Sequence, residues 1–392
     1  MSDLPSRPAR ARGTELLALG RRDRPAARES LSKLSPEEQA LLVGELRPAV
    51  RGEFLMLVER PEEVVPLLQE QEFVATILSG GMSEASWLLE IASSEQRVAC
   101  VDLDCWSAYD LDLTVFEEWI DALIEAGRPT LVKALNEIDP EVWVLAMRHM
   151  ADVAVVAKEE DAPTGWFTED GVCYFHARSD EAFARVKEIA QTAFSEVQPC
   201  YWQLVYGMLF ELESECQEYA LRWRSGRLKD LGFPDREQAM QAYRPLSVDR
   251  VETWDLDAEE PDALVPFESL PELLQGTLTG RALSQLTSGR AADLLGYVLA
   301  VANSLAVADG MSLSDADSIP TAMHKALNGI EQGLRAVASA QNATPERVLD
   351  RTRPLDLFRI GATLDPEIKP VPVHFSTLDD YEDAATEQER AD

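Results

Sequence analysis

The sequence predicts a nearly all-α protein: an irregular helical array, then a helical bundle, with one small β-hairpin near residues 165–176. Two observations carry this prediction. Four segments place a proline and then acids directly before an apolar stretch, and apolar residues then recur at helical spacing; these segments are residues 35–38, 61–63, 139–141 and 344–346. Proline loses no hydrogen bond at the first helical position, and acids there suit the positive end of the helix dipole.

The first half of the chain predicts many short helices. Ser35 with Glu38, and Ser93 with Gln96, have the spacing of capping boxes, so we expect helices to begin at both places. Each predicted helix has one apolar face. Isolated helices shorter than about 12–15 residues are marginal in water, so we expect these to be stable only when packed on their neighbours.

The composition of the chain changes along its length and suggests five regions. We predict a disordered basic arm, a helical-array domain, a region of hairpin plus helices, a carboxy-terminal helical bundle and an acidic disordered tail; these are residues 1–29, 30–155, 156–250, 264–364 and 365–392. In the third region, β-prone runs at 166–168 and 172–175 flank Asp170-Gly171 and predict the hairpin. Farther on, apolar residues from Leu204 to Trp223 predict one long helix with a buried stripe.

The charge of the chain restricts its partners. The sequence has 70 acids against 36 bases, a formal net charge of −34. Such a surface repels nucleic acids and anionic membranes, because binding to them depends on neutralising phosphate. The most apolar helix candidate, residues 294–308, is shorter than the roughly 20 residues of a membrane span, so we predict a buried core helix and no membrane span.

The cysteines favour a reducing compartment. There are five, an odd number, and no Cys-X-X-Cys pair, so neither a disulfide framework nor a zinc site is indicated. We therefore expect buried free thiols, a cytoplasmic location and no secretory signal.

No motif of a common enzyme class is present. The sequence lacks GxSxG, GxGxxG, a P-loop and HExxH. None of the four histidines has a glutamate three residues before it, which counts against a di-iron site. We expect no cofactor and no metal, name no catalytic residue, and favour a non-enzymatic role.

The densest candidate site is a basic cluster within this acidic chain, at Arg222, Arg224, Arg227 and Lys229, followed by Asp235. The planar fork of arginine suits carboxylate and phosphate groups, so the cluster could bind an anion or an acidic peptide. The alternative is a structural turn at Gly226 and Gly232, where the bases neutralise nearby acids.

Parts of the chain resemble known families. Residues 222–246, with the hairpin segment, are similar to an uncharacterised bacterial family described only as a domain of unknown function. That resemblance implies a soluble, mainly helical bacterial protein and no particular activity. Residues 34–42 and 60–68 resemble the superhelical amino-terminal domain of MgtE-type magnesium transporters, over residues 30–155, and the helical repeats of flagellar motor switch proteins.

These resemblances have limits. The paired cystathionine-synthase-like domains and the channel of the magnesium transporters are missing, which excludes a magnesium channel. Residues 307–312 look like the interhelical loop of tellurite-resistance-type domains, although Asp-Gly turns occur in many folds.

The sequence supports two main functional hypotheses. The first is a cytoplasmic interaction or scaffold protein that binds another protein through a helical surface. The alternative is a small-ligand-binding protein or enzyme with an anion pocket between the two helical halves, where Glu211 or Glu215 could act as a general base. Magnesium sensing by acidic helix ends is a third possibility. The sequence predicts neither the partner nor the oligomeric state.

Overall fold

A computed structural model describes residues 9–107, 109–156, 164–251 and 272–371. Helices dominate these residues, as the sequence predicts. Those before residue 231 are α1 (Ala9–Arg22), α2 (Arg24–Leu31), α3 (Pro36–Glu45), α4 (Pro48–Leu55), α5 (Pro61–Val64), α6 (Glu70–Gly80), α7 (Met82–Ala85), α8 (Trp87–Ile91), α9 (Ser94–Asp104), α10 (Leu113–Glu125), α11 (Arg128–Glu137), α12 (Pro140–Met150), α13 (Asp180–Glu196), α14 (Gln198–Phe210) and α15 (Glu213–Asp230). The later helices are α16 (Arg236–Met240), α17 (Leu278–Leu283), α18 (Ser288–Ala308), α19 (Ser318–Gln341), α20 (Pro345–Arg351) and α21 (Pro354–Leu364).

The described residues also include two small antiparallel sheets. Strand β1 (Trp106–Ser107) pairs with β2 (Asp110–Leu111), and β3 (Ala151–Val155) pairs with β4 (Cys173–Ala177). A hairpin is therefore present. Its second strand, β4, matches the predicted run at 172–175, whereas its first strand, β3, lies before the predicted run at 166–168. Phe167 makes only a single bridge to Phe175. The five-residue run after α12 forms the longer ladder instead, with Ala151 opposite Ala177.

The chain divides into two compact units. Unit 1 holds the residues up to Arg224 together with 314–316, and unit 2 holds 225–313 and the residues from Asp317 onwards. The division lies within α15, inside the region that the sequence predicts as residues 156–250. The described residues on both sides of position 155 belong to unit 1, in which α12 packs on α14.

The beginning of the chain is helical, so the prediction of a disordered arm is wrong for residues 9–29. Leu17 and Ala27 are buried, and Asp23 caps α2 by accepting from the backbone N–H of Ala26 at 3.1 Å. Arg21 also makes two hydrogen bonds to the carboxylate of Glu53, at 2.8 and 2.7 Å. The prediction of a disordered arm rests on the arginines and does not take the buried apolar residues into account. The first eight residues lie outside the described part.

The start of the predicted acidic tail belongs to unit 2. Ile368 is buried, and the backbone N–H of Val371 donates to Asp309 at 3.0 Å. Residues 365–371 are therefore packed rather than disordered, because Asp309 and the apolar core provide contacts for them. The remainder of that tail lies outside the described residues.

Buried side chains bind the last carbonyls of neighbouring helices in unit 1. Gln39 donates to the carbonyl of Leu31 at 3.1 Å, and Arg97 donates to that of Ala92 at 2.6 Å. Arg51 donates to Leu46 at 2.9 Å. The last four carbonyls of a helix have no partner inside it, and burying them unpaired is costly. These donors allow short helices to end inside the protein.

The loop after α18 begins at Asp309, whose side chain is buried in unit 2. The Asp309 carboxylate is buried and accepts from the Tyr243 hydroxyl at 2.8 Å and the Lys325 ammonium at 2.7 Å. Burial, and then the charge of Asp309, raise the pKa of Tyr243, which stays a hydrogen-bond donor. Asp309 thus joins α18, α19 and the end of the described chain.

Of the described helices, α18 alone is long and apolar enough to cross a bilayer, and half of its most apolar stretch is buried inside the protein. Core helices of the same length share these properties. Helix α18 packs on α19 and α21, as the predicted core helix would.

Helices α19 and α21 cross with their backbones in contact. A Cβ at Gly333 would lie 1.9 Å from the carbonyl oxygen of Leu357, and a Cβ at Gly361 would lie 1.9 Å from that of Gly329. No side chain fits at either position unless the helices separate.

We therefore expect Gly333→Ala to lower the free energy of unfolding by about 3 kcal/mol, because the added methyl group overpacks this crossing. Gly296→Ala is the matched control: it also lies within a helix, and its Cβ would meet nothing within 4 Å. It should raise stability by about 0.5–1 kcal/mol through helix propensity. Urea unfolding followed by circular dichroism measures the free energy of unfolding of both variants. Equal values for the two variants would contradict the close contact between α19 and α21.

Candidate functional site

Helix α14 exposes a stripe of aromatic side chains. Trp202, Tyr206 and Phe210 are 48%, 59% and 67% exposed, and their spacing of four places them on one face of the helix. The rings of Tyr206 and Phe210 lie 5.2 Å apart. The opposite face is buried and consists of Cys200, Tyr201, Leu204, Val205 and Met208. Helix α14 is thus apolar on both sides, although the described protein covers only one of them.

The aromatic stripe borders a cleft of about 610 Å³, which we call the aromatic groove. One wall is α14, and the other is the beginning of α12, at Pro140, Glu141 and Val144. All of the lining residues belong to unit 1, and none is basic; they are Pro140, Glu141, Val144, Pro199, Trp202, Gln203, Val205, Tyr206, Leu209, Phe210 and Glu211.

Two contacts fix the position of α14 against α12. At Gly207 the helices approach so closely that a Cβ would lie 2.5 Å from a methyl carbon of Val144. One turn farther along α12, the Arg148 guanidinium donates to the carbonyl of Gly207 at 2.8 Å, to that of Met208 at 3.1 Å and to that of Glu211. These contacts with α12 fix the end of α14, and they leave the face with Trp202, Tyr206 and Phe210 exposed.

The charges that line the groove are acidic. Glu141 and Glu211 line it from its two walls. One carboxylate oxygen of Glu141, Oε2, is buried and has no hydrogen-bond partner among the described residues. Glu211 accepts from the Cys216 thiol at 3.3 Å. Burial, and then the bond to Glu211, raise the pKa of Cys216 to about 12.

The residues of the predicted basic cluster lie in different environments. Arg224 is only 8% exposed; its guanidinium donates to the carbonyl of Asp102 at 2.7 Å and lies 5.2 Å from the centre of the Trp106 ring. Arg222 is exposed, and Arg227 is half-buried. Lys229 and Asp235 pair with each other at 3.0 Å.

Arg224 has therefore the same role as Arg97 and Arg148, which is to bind the end of a neighbouring helix. Asp235 caps α16 by accepting from the backbone N–H of Gln238 at 2.9 Å. The structure brings Lys229 and Asp235 together and directs Arg224 into unit 1. An anion site at these residues stays a prediction.

A family model of unknown function, DUF6178, matches residues 28–369, which is most of the chain. The chain belongs to this family. The predicted resemblance to an uncharacterised family is thereby confirmed. No curated protein and no solved structure matches the chain, so the resemblance to magnesium transporters gains no support from these comparisons.

A second cleft in unit 1, of about 420 Å³, is polar. Arg178 pairs there with Asp152 at 3.0 Å, and His149 lies 3.6 Å from the Glu117 carboxylate. Its charges balance one another, and it lacks the apolar surface of the aromatic groove. Among the described residues, no group of three histidines, cysteines or acids is suited to hold a metal ion.

The aromatic stripe differs from the sequence prediction, which treats residues 204–223 as one helix with a buried face. The chain breaks at Glu211, whose backbone is extended, and α14 and α15 are separate helices. Leu212, Tyr219 and Trp223, expected to be buried, are more than half exposed. The available signal was the repeat of an aromatic residue at positions 202, 206 and 210.

We expect all five thiols to be unreactive in the folded protein. Burial raises the pKa of Cys173 and Cys200 to about 11, and those of Cys100 and Cys105 well above the usual range. Because only the thiolate reacts, roughly one thiol in a thousand is reactive at pH 8 when its pKa is about 11.

Reaction with a chromogenic disulfide at pH 8 should therefore be at least about 100-fold slower in native protein than in urea. A Leu41→Cys variant, at a position that is 61% exposed, provides the control thiol that reacts at once. If a native cysteine reacts as quickly as this control, the native thiols are not buried as described.

Proposed function

We propose that this protein is a protein-interaction module, and that the aromatic groove of unit 1 binds a segment of another protein. The observation that carries the proposal is the exposed stripe of Trp202, Tyr206 and Phe210. The absence of common catalytic motifs and the five free thiols support a non-enzymatic, cytoplasmic role.

The size and composition of the stripe favour a protein as the partner. Aromatic side chains bury about 150–250 Å² each, so three that are half exposed present roughly 300 Å² of apolar surface. A continuous patch of this size often marks an interaction site in a protein. Tryptophan and tyrosine are also enriched among the residues that contribute most to binding at interfaces.

The groove favours a macromolecule over a small anionic ligand. Its volume of about 610 Å³ lies within the range of ligand sites. No lysine, arginine or histidine lines it, however, so an anion would find no cation there. The stripe also runs from Trp202 to Phe210, nine residues of α14 with a rise of about 12 Å, along an open face.

We expect Tyr206→Ala/Phe210→Ala to abolish capture of a partner by the tagged protein in extracts of its native cell at 0.15 M salt. Loss of two interface aromatics at about 1 kcal/mol or more each should weaken binding by at least about 30-fold. Quantitative mass spectrometry compares the captured proteins, and the thermal unfolding of the variant shows that the fold is intact.

Tyr297→Ala is the matched control, because it removes an exposed aromatic residue from unit 2. An Arg222→Ala/Lys229→Ala variant tests the predicted anion site in the same experiment. The proposal fails if the double aromatic variant captures the same proteins as the wild type, or if no protein is enriched on either.

A further inference from the structure

The geometry of the aromatic groove points to a particular class of partner. We propose that its occupant is a cationic amphipathic helix of another protein. The apolar face of this helix lies on the aromatic stripe, and its lysine or arginine side chains lie near Glu141 and Glu211. This inference rests on the proposed function, since it specifies what the interaction module binds.

The walls of the groove favour a helix over an extended strand. Both walls are helices, α12 and α14, so neither offers the row of free backbone groups that a sheet edge has. An extended segment gains affinity by adding backbone hydrogen bonds to a free sheet edge, and the groove lining contains no strand. A helix satisfies its own backbone and binds through side chains at positions i, i+4 and i+7, which span about 10 Å.

The charges near the groove favour a cationic occupant. Two charged residues line the groove, Glu141 and Glu211, and both are acidic. Arg148 lies near this end of the groove, but its guanidinium is bonded to the backbone carbonyls that end α14. Acidic groups that meet a basic partner raise both the rate and the selectivity of binding.

Glu141 places a carboxylate at the wall of the groove. Its oxygen Oε2 is buried and accepts no hydrogen bond from the described residues, so that oxygen itself is closed to an occupant. The residue as a whole is partly exposed and lines the groove. A lysine or arginine of the occupant that approaches this carboxylate therefore lies beside the aromatic stripe.

The same charges disfavour a second copy of the chain as the occupant. A symmetric dimer through the groove would bring Glu141 and Glu211 of both copies together. The chain carries a net charge of −34, so the association of two copies is opposed over longer distances as well.

The test is selection from a displayed library of random 16-residue peptides on the full-length protein at 0.15 M salt. Clones are kept only if they fail to bind Tyr206→Ala/Phe210→Ala. That variant keeps every charge of the wild type, so it removes peptides attracted by net charge alone. A second selection uses Glu141→Gln/Glu211→Gln, which keeps the shape of the groove and removes its two charges.

Groove-dependent clones should be enriched at least about threefold in lysine and arginine relative to the library, with apolar residues spaced by three or four. Their affinity should fall about tenfold on Glu141→Gln/Glu211→Gln. Circular dichroism of synthetic clones should show helix formation in the complex.

Different failures have different meanings. Groove-dependent clones without basic enrichment, or with no loss on Glu141→Gln/Glu211→Gln, overturn the cationic helix and leave the interaction module intact. An absence of groove-dependent clones counts against both proposals. If sedimentation shows a wild-type dimer and a monomeric Tyr206→Ala/Phe210→Ala variant, the occupant is a second copy and the inference is wrong.

Discussion

Unit 1 depends on buried side chains that hydrogen-bond to the carbonyl groups at the ends of neighbouring helices. Most of its helices are too short to be stable alone, so each must end within reach of another element. Arg97, Arg148 and Arg224 provide guanidinium donors for three such ends, at Ala92, at the last turn of α14 and at Asp102. Without these donors, the short helices would leave several carbonyls buried and unpaired.

The aromatic groove is a consequence of this arrangement. Arg148 and the contact between Gly207 and Val144 fix α14 from its buried side, so the helix does not need cover on its other side. The aromatic residues of that other side leave about half or more of their surface uncovered by the described part of unit 1. Their position is set by the rigid contacts beneath them, which gives the partner a preorganised surface and lowers the entropy lost on binding.

Local sequence patterns predicted the helices well, because caps and helical periodicity depend on residues close in the chain. Both capping boxes, at Ser35 and Ser93, begin helices as expected. The role of Arg224 was not predictable, since its acceptor at Asp102 is 122 residues away. The groove was missed for a related reason: the apolar pattern of α14 does not show which of its two faces the fold covers. The prediction for residues 9–29 fails because it rests on their charge, whereas Leu17 and Ala27 are buried.

The contact between α19 and α21 also limits how this family can diverge. Gly333 on one helix and Gly361 on the other each face main-chain atoms where a side chain would normally lie, and Gly329 faces the ring of Phe358. A relative that keeps this crossing must keep glycine at the positions of Gly333 and Gly361, whatever happens to the surface around them. Distant members could therefore be identified by this spacing of glycines when their surface residues no longer align.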